Sequence, residues 1–198
     1  YRIVAVVGAE SHLHSLLELS CTLASSRHGR VEILHVSPTG KKPSWLAIPE
    51  AWESVPVDLT VLEGRDPAAR ILPVVNRDPP DLLVLGWRGQ PGRGQYLVGS
   101  TVDALVQRAP CDVVVLRTAV AQVDPPSLDG VPGGINKVLV PTHGGPNAAL
   151  AIDIALSLST ETQVTALYVA NVVQGEVAAT LASDQLDEIL KPWADQSR

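Results

Sequence analysis

Along the first 117 residues, short unbroken apolar runs alternate with stretches in which apolar residues recur at helical spacing. Ile3–Val7, Val31–Val36, Val57–Leu62, Leu82–Leu85 and Val113–Leu116 are the runs. They lack polar alternation, which predicts strands buried on both faces. Between the first two, Leu13, Leu16, Leu17, Leu23 and Ala24 mark a helix that Ser11 is placed to cap and Gly29 to end. Gly64-Arg65-Asp66-Pro67 opens a second helix through Ala68, Ile71, Leu72 and Val75, with proline at an early position. Val102, Leu105 and Val106 mark a third. Ser37 to Pro56 contains Pro38, Pro43, Pro49 and Pro56, so any helix there is short. Strands alternating with helices predict an α/β fold: an open five-stranded parallel sheet with helices on both faces. Ligands of such sheets bind beyond the C-terminal ends of the strands, where the strand order reverses. Gly8 and Gly86 both follow strand ends and are expected to face that crevice.

The pattern pauses at residues 118–134, where Pro125-Pro126, Pro132 and Gly133-Gly134 predict a linker. It then restarts. Lys137-Val138-Leu139-Val140-Pro141 resembles Arg2-Ile3-Val4-Ala5-Val6, Ala149–Leu156 reads as a helix, and Val164–Val169 parallels Val31–Val36. This internal repeat predicts a first domain at 1–117 and the first half of a second copy at 135–198, closing with a helical stretch, Glu176–Leu190.

Composition narrows the class. The chain has 198 residues, 45% hydrophobic and 18% charged, which suffices for a substantial core. No apolar run approaches the roughly 20 residues of a membrane span. The net charge of -6 argues against nucleic acid as the main partner. Cys21 and Cys111 suggest no disulfide framework, which fits a reducing compartment. The chain starts at Tyr1 and contains no Met, so we expect a piece of a longer protein.

The most informative segment is Gly86-Trp-Arg-Gly-Gln-Pro-Gly-Arg-Gly-Gln-Tyr-Leu-Val-Gly-Ser-Thr101, a glycine-rich loop between a strand and a helix. Glycines let backbone N–H groups approach an anion, and a helix N-terminus supplies free amides and a favourable dipole. Gly86, Gly89, Gly99 and Ser100 form a Gly-x-x-Gly, nine residues, then Gly-Ser. With the flanks Asp81–Gly86, Ala109–Arg117 and Val61–Pro67, this resembles the universal stress protein family in its nucleotide-binding form. The resemblance covers nearly all of 1–117, and it implies a five-stranded α/β sheet that binds ATP or a related adenine nucleotide, with magnesium as a companion ion. It implies adenine contacts at Val6, Val7 and Val36, and ribose and phosphate contacts at Gly86, Gly89, Gly99 and Ser100. Where the family usually has an Asp at the end of the first strand, Val7 stands here, which removes a hydrogen bond worth roughly 0.5–1.5 kcal/mol. The equivalent position of the second copy is read as His143. The Gly144–Asn147 turn and tandem layout resemble the cytoplasmic tails of membrane transporters, implying a regulatory, stress-responsive module tethered at a membrane. The family also implies a homodimer through Asp112–Leu116.

Each candidate has a plainer reading. The glycines serve as turn residues and Ser100 as an N-cap. Arg88 and Arg93 are candidates to pair with terminal phosphates, against a plainer reading as solvated loop charges; Thr101 is a weaker phosphate candidate than Ser100. His12 and His14 are two apart and do not share a helix face, so a metal site is not expected. His35 reads as a hydrogen-bonded core histidine, Cys111 as packing, and Trp45 and Trp52 as a cover over the core. No Gly-x-Ser-x-Gly, Walker A sequence or paired carboxylates accompany the loop, so no catalytic residue is expected and ATP hydrolysis would be a slow by-product. An assembly module with a degenerate site is the competing reading.

Overall fold

The computed structural model describes residues 1–48, 51–52, 54–87, 99–117, 137–142, 146–158 and 163–168. The chain divides into two compact units, Tyr1–Pro132 and Gly133–Arg198. The proposed linker 118–134, His143 and the helical stretch Glu176–Leu190 lie outside the described residues.

The first unit is α/β. Its five parallel strands are β1 (Arg2–Val6), β2 (Arg30–Ser37), β4 (Val55–Glu63), β5 (Leu82–Gly86) and β6 (Asp112–Leu116). A two-residue strand, β3 (Ala51–Trp52), adds antiparallel to β4, giving the order β3-β4-β2-β1-β5-β6. The third predicted strand therefore starts two residues early. Pro56 can do this because it pairs only with the short edge strand β3, through Ala51.

Alternation along β1 sorts the sheet into two faces. Val4 joins Leu34, Leu83 and Leu85 beneath Ile71, Leu72 and Val75 of α2 (Pro67–Arg77) and Leu105 of α3 (Ser100–Arg108). Ile3 and Ala5, both fully buried, point to the other face, where α1 (Leu13–Ser25) packs with Leu16, Leu17 and Leu23. Each buried Val, Leu or Ile among them contributes about 1.5–3 kcal/mol by leaving water.

Helix ends follow local chemistry. Asp66 caps α2 by accepting a hydrogen bond from Ala69 N–H at 3.2 Å, with Pro67 beside it as expected. Ser11 does not cap α1. A 3-10 turn, Glu10–His12, intervenes, and the cap position falls to His12, without a side-chain hydrogen bond. Gly29 also serves differently from expectation. The left-handed residue after α1 is His28 (φ 50°), whereas Gly29 donates its N–H to Ala24 O at 2.8 Å. A Cβ on Gly29 would collide with the Tyr1 carbonyl.

At the N-terminal edge of the sheet, Arg2 clamps three elements. Its guanidinium contacts Glu32 and Asp78, each at 2.8 Å, and its N–H donates to Asp81 Oδ2 at 2.6 Å. Thr60 holds the other Glu32 oxygen at 3.0 Å.

The second unit comprises β7 (Lys137–Thr142), α4 (Pro146–Ser157) and β8 (Gln163–Tyr168), with β7 and β8 parallel. Val140, Ile152 and Ala155 form its small core. Leu139 and Leu167 are exposed. Among the described residues, no helix is long and apolar enough to cross a membrane.

Candidate functional site

The strand order reverses between β1 and β5, which lie side by side with Val6 opposite Leu85. β1 runs into α1 on one face, while β5 is followed by α3 on the other, so a crevice opens beyond these two strand ends. The residues there are Val7–Ala9 after β1, and Gly86 and Trp87 at the end of β5.

Val6 and Val36 are half-buried beside Leu62 on the α2/α3 side and form an apolar strip at the strand ends. The Val7 side chain lies on the other face. It is 1% exposed and alternates with Ile3 and Ala5 onto the α1 side. Its N–H donates to Leu34 O at 3.0 Å, and its carbonyl accepts from His35 Nδ1 at 2.8 Å. The strand-end position that opens to solvent is Gly8, where a Cβ would touch nothing. Setting Lys137 against Arg2 pairs Thr142 with Val7 and His143 with Gly8, so the counterpart of Val7 in the second copy is Thr142 and not His143 as expected.

Gly86 has a structural cause independent of any ligand. A Cβ there would lie 2.7 Å from His12 Nδ1 and 3.2 Å from Leu16 Cδ1, so the glycine admits the first turn of α1 against β5. Trp87 continues the edge, donating its N–H to Leu116 O at 2.8 Å, with the Arg117 guanidinium 5.2 Å from its ring centroid. Arg88 and Gly89, together with Arg93, lie outside the described residues.

Gly99 is the N-cap of α3, with φ +152°, a region open in practice only to glycine. Its carbonyl accepts from Asp103 N–H at 2.9 Å. Ser100 is therefore the first helical residue, not the cap. Ser100, Thr101 and Val102 supply first-turn N–H groups, which have no partner within the helix. Ser100 and Thr101 line a cleft of about 740 Å³ with Arg65–Ala69 at the start of α2, and with Asp103, Ala104, Gln107 and Arg108. Two helix N-termini thus flank one cleft. The cleft does not include Val6, Val7, Val36 or Gly86. Arg65 was legible only as part of a helix start. Its position just before an Asp-Pro cap at a strand-to-helix junction was the available signal.

The remaining candidates are structural. His35 is buried, hydrogen-bonded to Val7 O and edge-on to Trp45, with ring centroids 5.3 Å apart. His14 meets Trp52 in the same way at 5.3 Å. Both tryptophans anchor the proline-rich segment. Burial first, then the charges of Asp112 and Asp81, push the Cys111 thiol up, which suits a packed thiol rather than a nucleophile. Among the described residues, no three His, Cys, Asp or Glu side chains gather to hold a metal ion.

Residues 50–117 match the model of the Universal stress protein family. The matched stretch runs from β3 to the end of β6 and contains the whole glycine motif. A universal stress protein of Thermus aquaticus, from the 3' region of QAH/OAS sulfhydrylase, is 38% identical over 60 residues. That alignment spans 30% of this chain and 43% of the relative, so the chain covers less than half of the relative's length. Among solved structures, a universal stress protein from Archaeoglobus fulgidus is similar at 19% identity and TM-score 0.46, covering 59% of this chain and 97% of the other. A universal stress protein in complex with cAMP is similar at 16% identity and TM-score 0.43, with the same two coverages.

Proposed function

We propose that the first unit is an adenine-nucleotide-binding regulatory module. One observation carries this reading: the Gly86-x-x-Gly89, nine residues, Gly99-Ser100 motif lies inside the family-matched stretch and joins the crevice strand β5 to the N-terminus of α3. Ser100 and Thr101 would offer their N–H groups and hydroxyls to phosphate, and Arg65 would add charge across the cleft. The half-buried strip of Val6, Val36 and Leu62 would receive an apolar base face. With Val7 withdrawn and Gly8 lacking a side chain, recognition of the base would fall to backbone groups. Magnesium, if recruited, would bind through the nucleotide's own phosphates. Calorimetric titration with AMP, and with ATP plus magnesium, should give saturable binding at one site per chain. A flat titration with both up to millimolar concentration rejects the reading.

A second role is favoured by β6. It is the outermost strand of the sheet, and its outer edge is unpaired among the described residues. We infer a homodimer through Asp112–Leu116. Sedimentation velocity across a wide concentration range should show a dimer, whereas a monomer throughout removes this surface from consideration.

The second unit we interpret as the opening βαβ of another copy. Placement as a cytoplasmic transporter tail rests on the Gly144–Asn147 sequence and the tandem layout. It predicts that the full-length gene product fractionates with membranes, and recovery only in the soluble fraction would rule it out.

A further inference from the structure

The ladder between β1 and β2 is cut off by a side chain. Its paired register ends at Val6 opposite Leu34. One step on, Val7 N–H still donates to Leu34 O at 3.0 Å. A parallel ladder would next send Val36 N–H to Val7 O. That bond is absent among the described residues, and Val7 O accepts from His35 Nδ1 at 2.8 Å instead. A carbonyl only accepts, so Nδ1 carries the proton. The imidazole is buried, and Trp45 meets it edge-on with ring centroids 5.3 Å apart, which fixes its orientation. Peptide groups two residues apart on a strand point the same way. Leu34 is bonded to β1, so the N–H and carbonyl of Val36 also point to the β1 side. The chain there has left the strand for the 3-10 turn Glu10–His12. The Val36 side chain meanwhile lies in the apolar strip with Val6 and Leu62.

We propose that His35 is a positioning residue for base recognition: it takes the Val7 carbonyl in place of the Val36 N–H, and so keeps the Val36 N–H and carbonyl open to the edge of the base. This rests on the nucleotide reading above. The imidazole does not touch the ligand, because strand alternation puts it on the opposite face of β2 from the Val36 side chain. The base class selected is a 6-aminopurine, whose N1 accepts a hydrogen bond and whose amino group donates one. A 6-oxopurine presents the reverse pattern at those two atoms and leaves both peptide groups mismatched.

Calorimetry of the intact chain with AMP and with IMP, on wild type, His35→Asn and His35→Leu, tests this. Asparagine keeps an N–H donor near the Nδ1 position, whereas leucine removes it and lets Val36 N–H close onto Val7 O. Wild type and His35→Asn should bind AMP roughly tenfold or more tighter than IMP, and folded His35→Leu should bind AMP roughly tenfold more weakly with that preference lost. A merely structural role would lower stability and leave the AMP-to-IMP ratio unchanged. Hydrogen exchange on the wild type needs no variant and decides alone if His35→Leu does not fold: the Val36 amide should exchange faster than the Leu34 amide in the free protein and slow on AMP binding. AMP binding with no preference over IMP, a Val36 amide as protected as Leu34 in the free protein, or an unchanged preference in folded His35→Leu overturns the assignment and leaves the nucleotide reading standing. Failure of the wild type to bind AMP overturns both.

Discussion

Replacing Gly86 by valine should destabilise the first unit by about 1–3 kcal/mol, the usual range for inserting bulk into a packed contact. The new Cβ would meet His12 Nδ1 at 2.7 Å and Leu16 Cδ1 at 3.2 Å, and valine's two methyl groups would extend further into the same space. Leu16 is fully buried and sits on a helix packed over the sheet, so it has little room to yield. Relief would have to come from tilting the first turn of α1 away from β5. Urea unfolding measures this directly: the midpoint should fall with an unchanged slope. If Gly86→Val is as stable as wild type, the close packing of α1 on β5 is not what requires glycine there.

Gly99→Val should act on binding through the backbone rather than through packing. Nothing lies within 4 Å of a Cβ at this position, so no clash is expected. The cause is the φ of +152°, where a β-branched residue is strained by about 1–3 kcal/mol. The chain can escape the strain by rotating out of this region, but that turns the first N–H groups of α3 away from the cleft beside Arg65. Nucleotide affinity should drop roughly tenfold or more, since a loss of about 1.4 kcal/mol suffices for that factor. Calorimetry on a folded Gly99→Val is the check. Wild-type affinity would mean that the N-terminus of α3 does not hold the phosphates.

These two glycines also show what was legible in the sequence. The spacing of Gly86, Gly89, Gly99 and Ser100 marked the region, but it could not separate the causes. Gly86 answers to a neighbouring helix, and Gly99 to its own dihedral angle. Neither cause can be read from spacing, because one depends on which helix packs on which face and the other on the path of the loop. The strands themselves were legible, since Ile3–Val7, Val31–Val36 and Leu82–Leu85 are central strands covered on both sides and so carry unbroken apolar runs. The N-terminal extension of β4 was not, because Pro56 signals a break unless the edge strand that tolerates it is known. Ser11 misled for a similar reason: the capping residue type was present, but a tight turn moved the helix start to Leu13. Val7 was placed correctly at a strand end. The alternation that buries it was already visible in Ile3 and Ala5, but reading it required knowing which face the ligand side occupies.

The central claim is that the first unit carries an adenine nucleotide. Mass spectrometry of the small molecules released by denaturing freshly purified protein tests it most directly. An adenine nucleotide released in near-stoichiometric amount is the expected result. An empty protein that also gives no calorimetric response to millimolar ATP with magnesium would contradict the claim and leave the glycine motif as an element of packing and assembly.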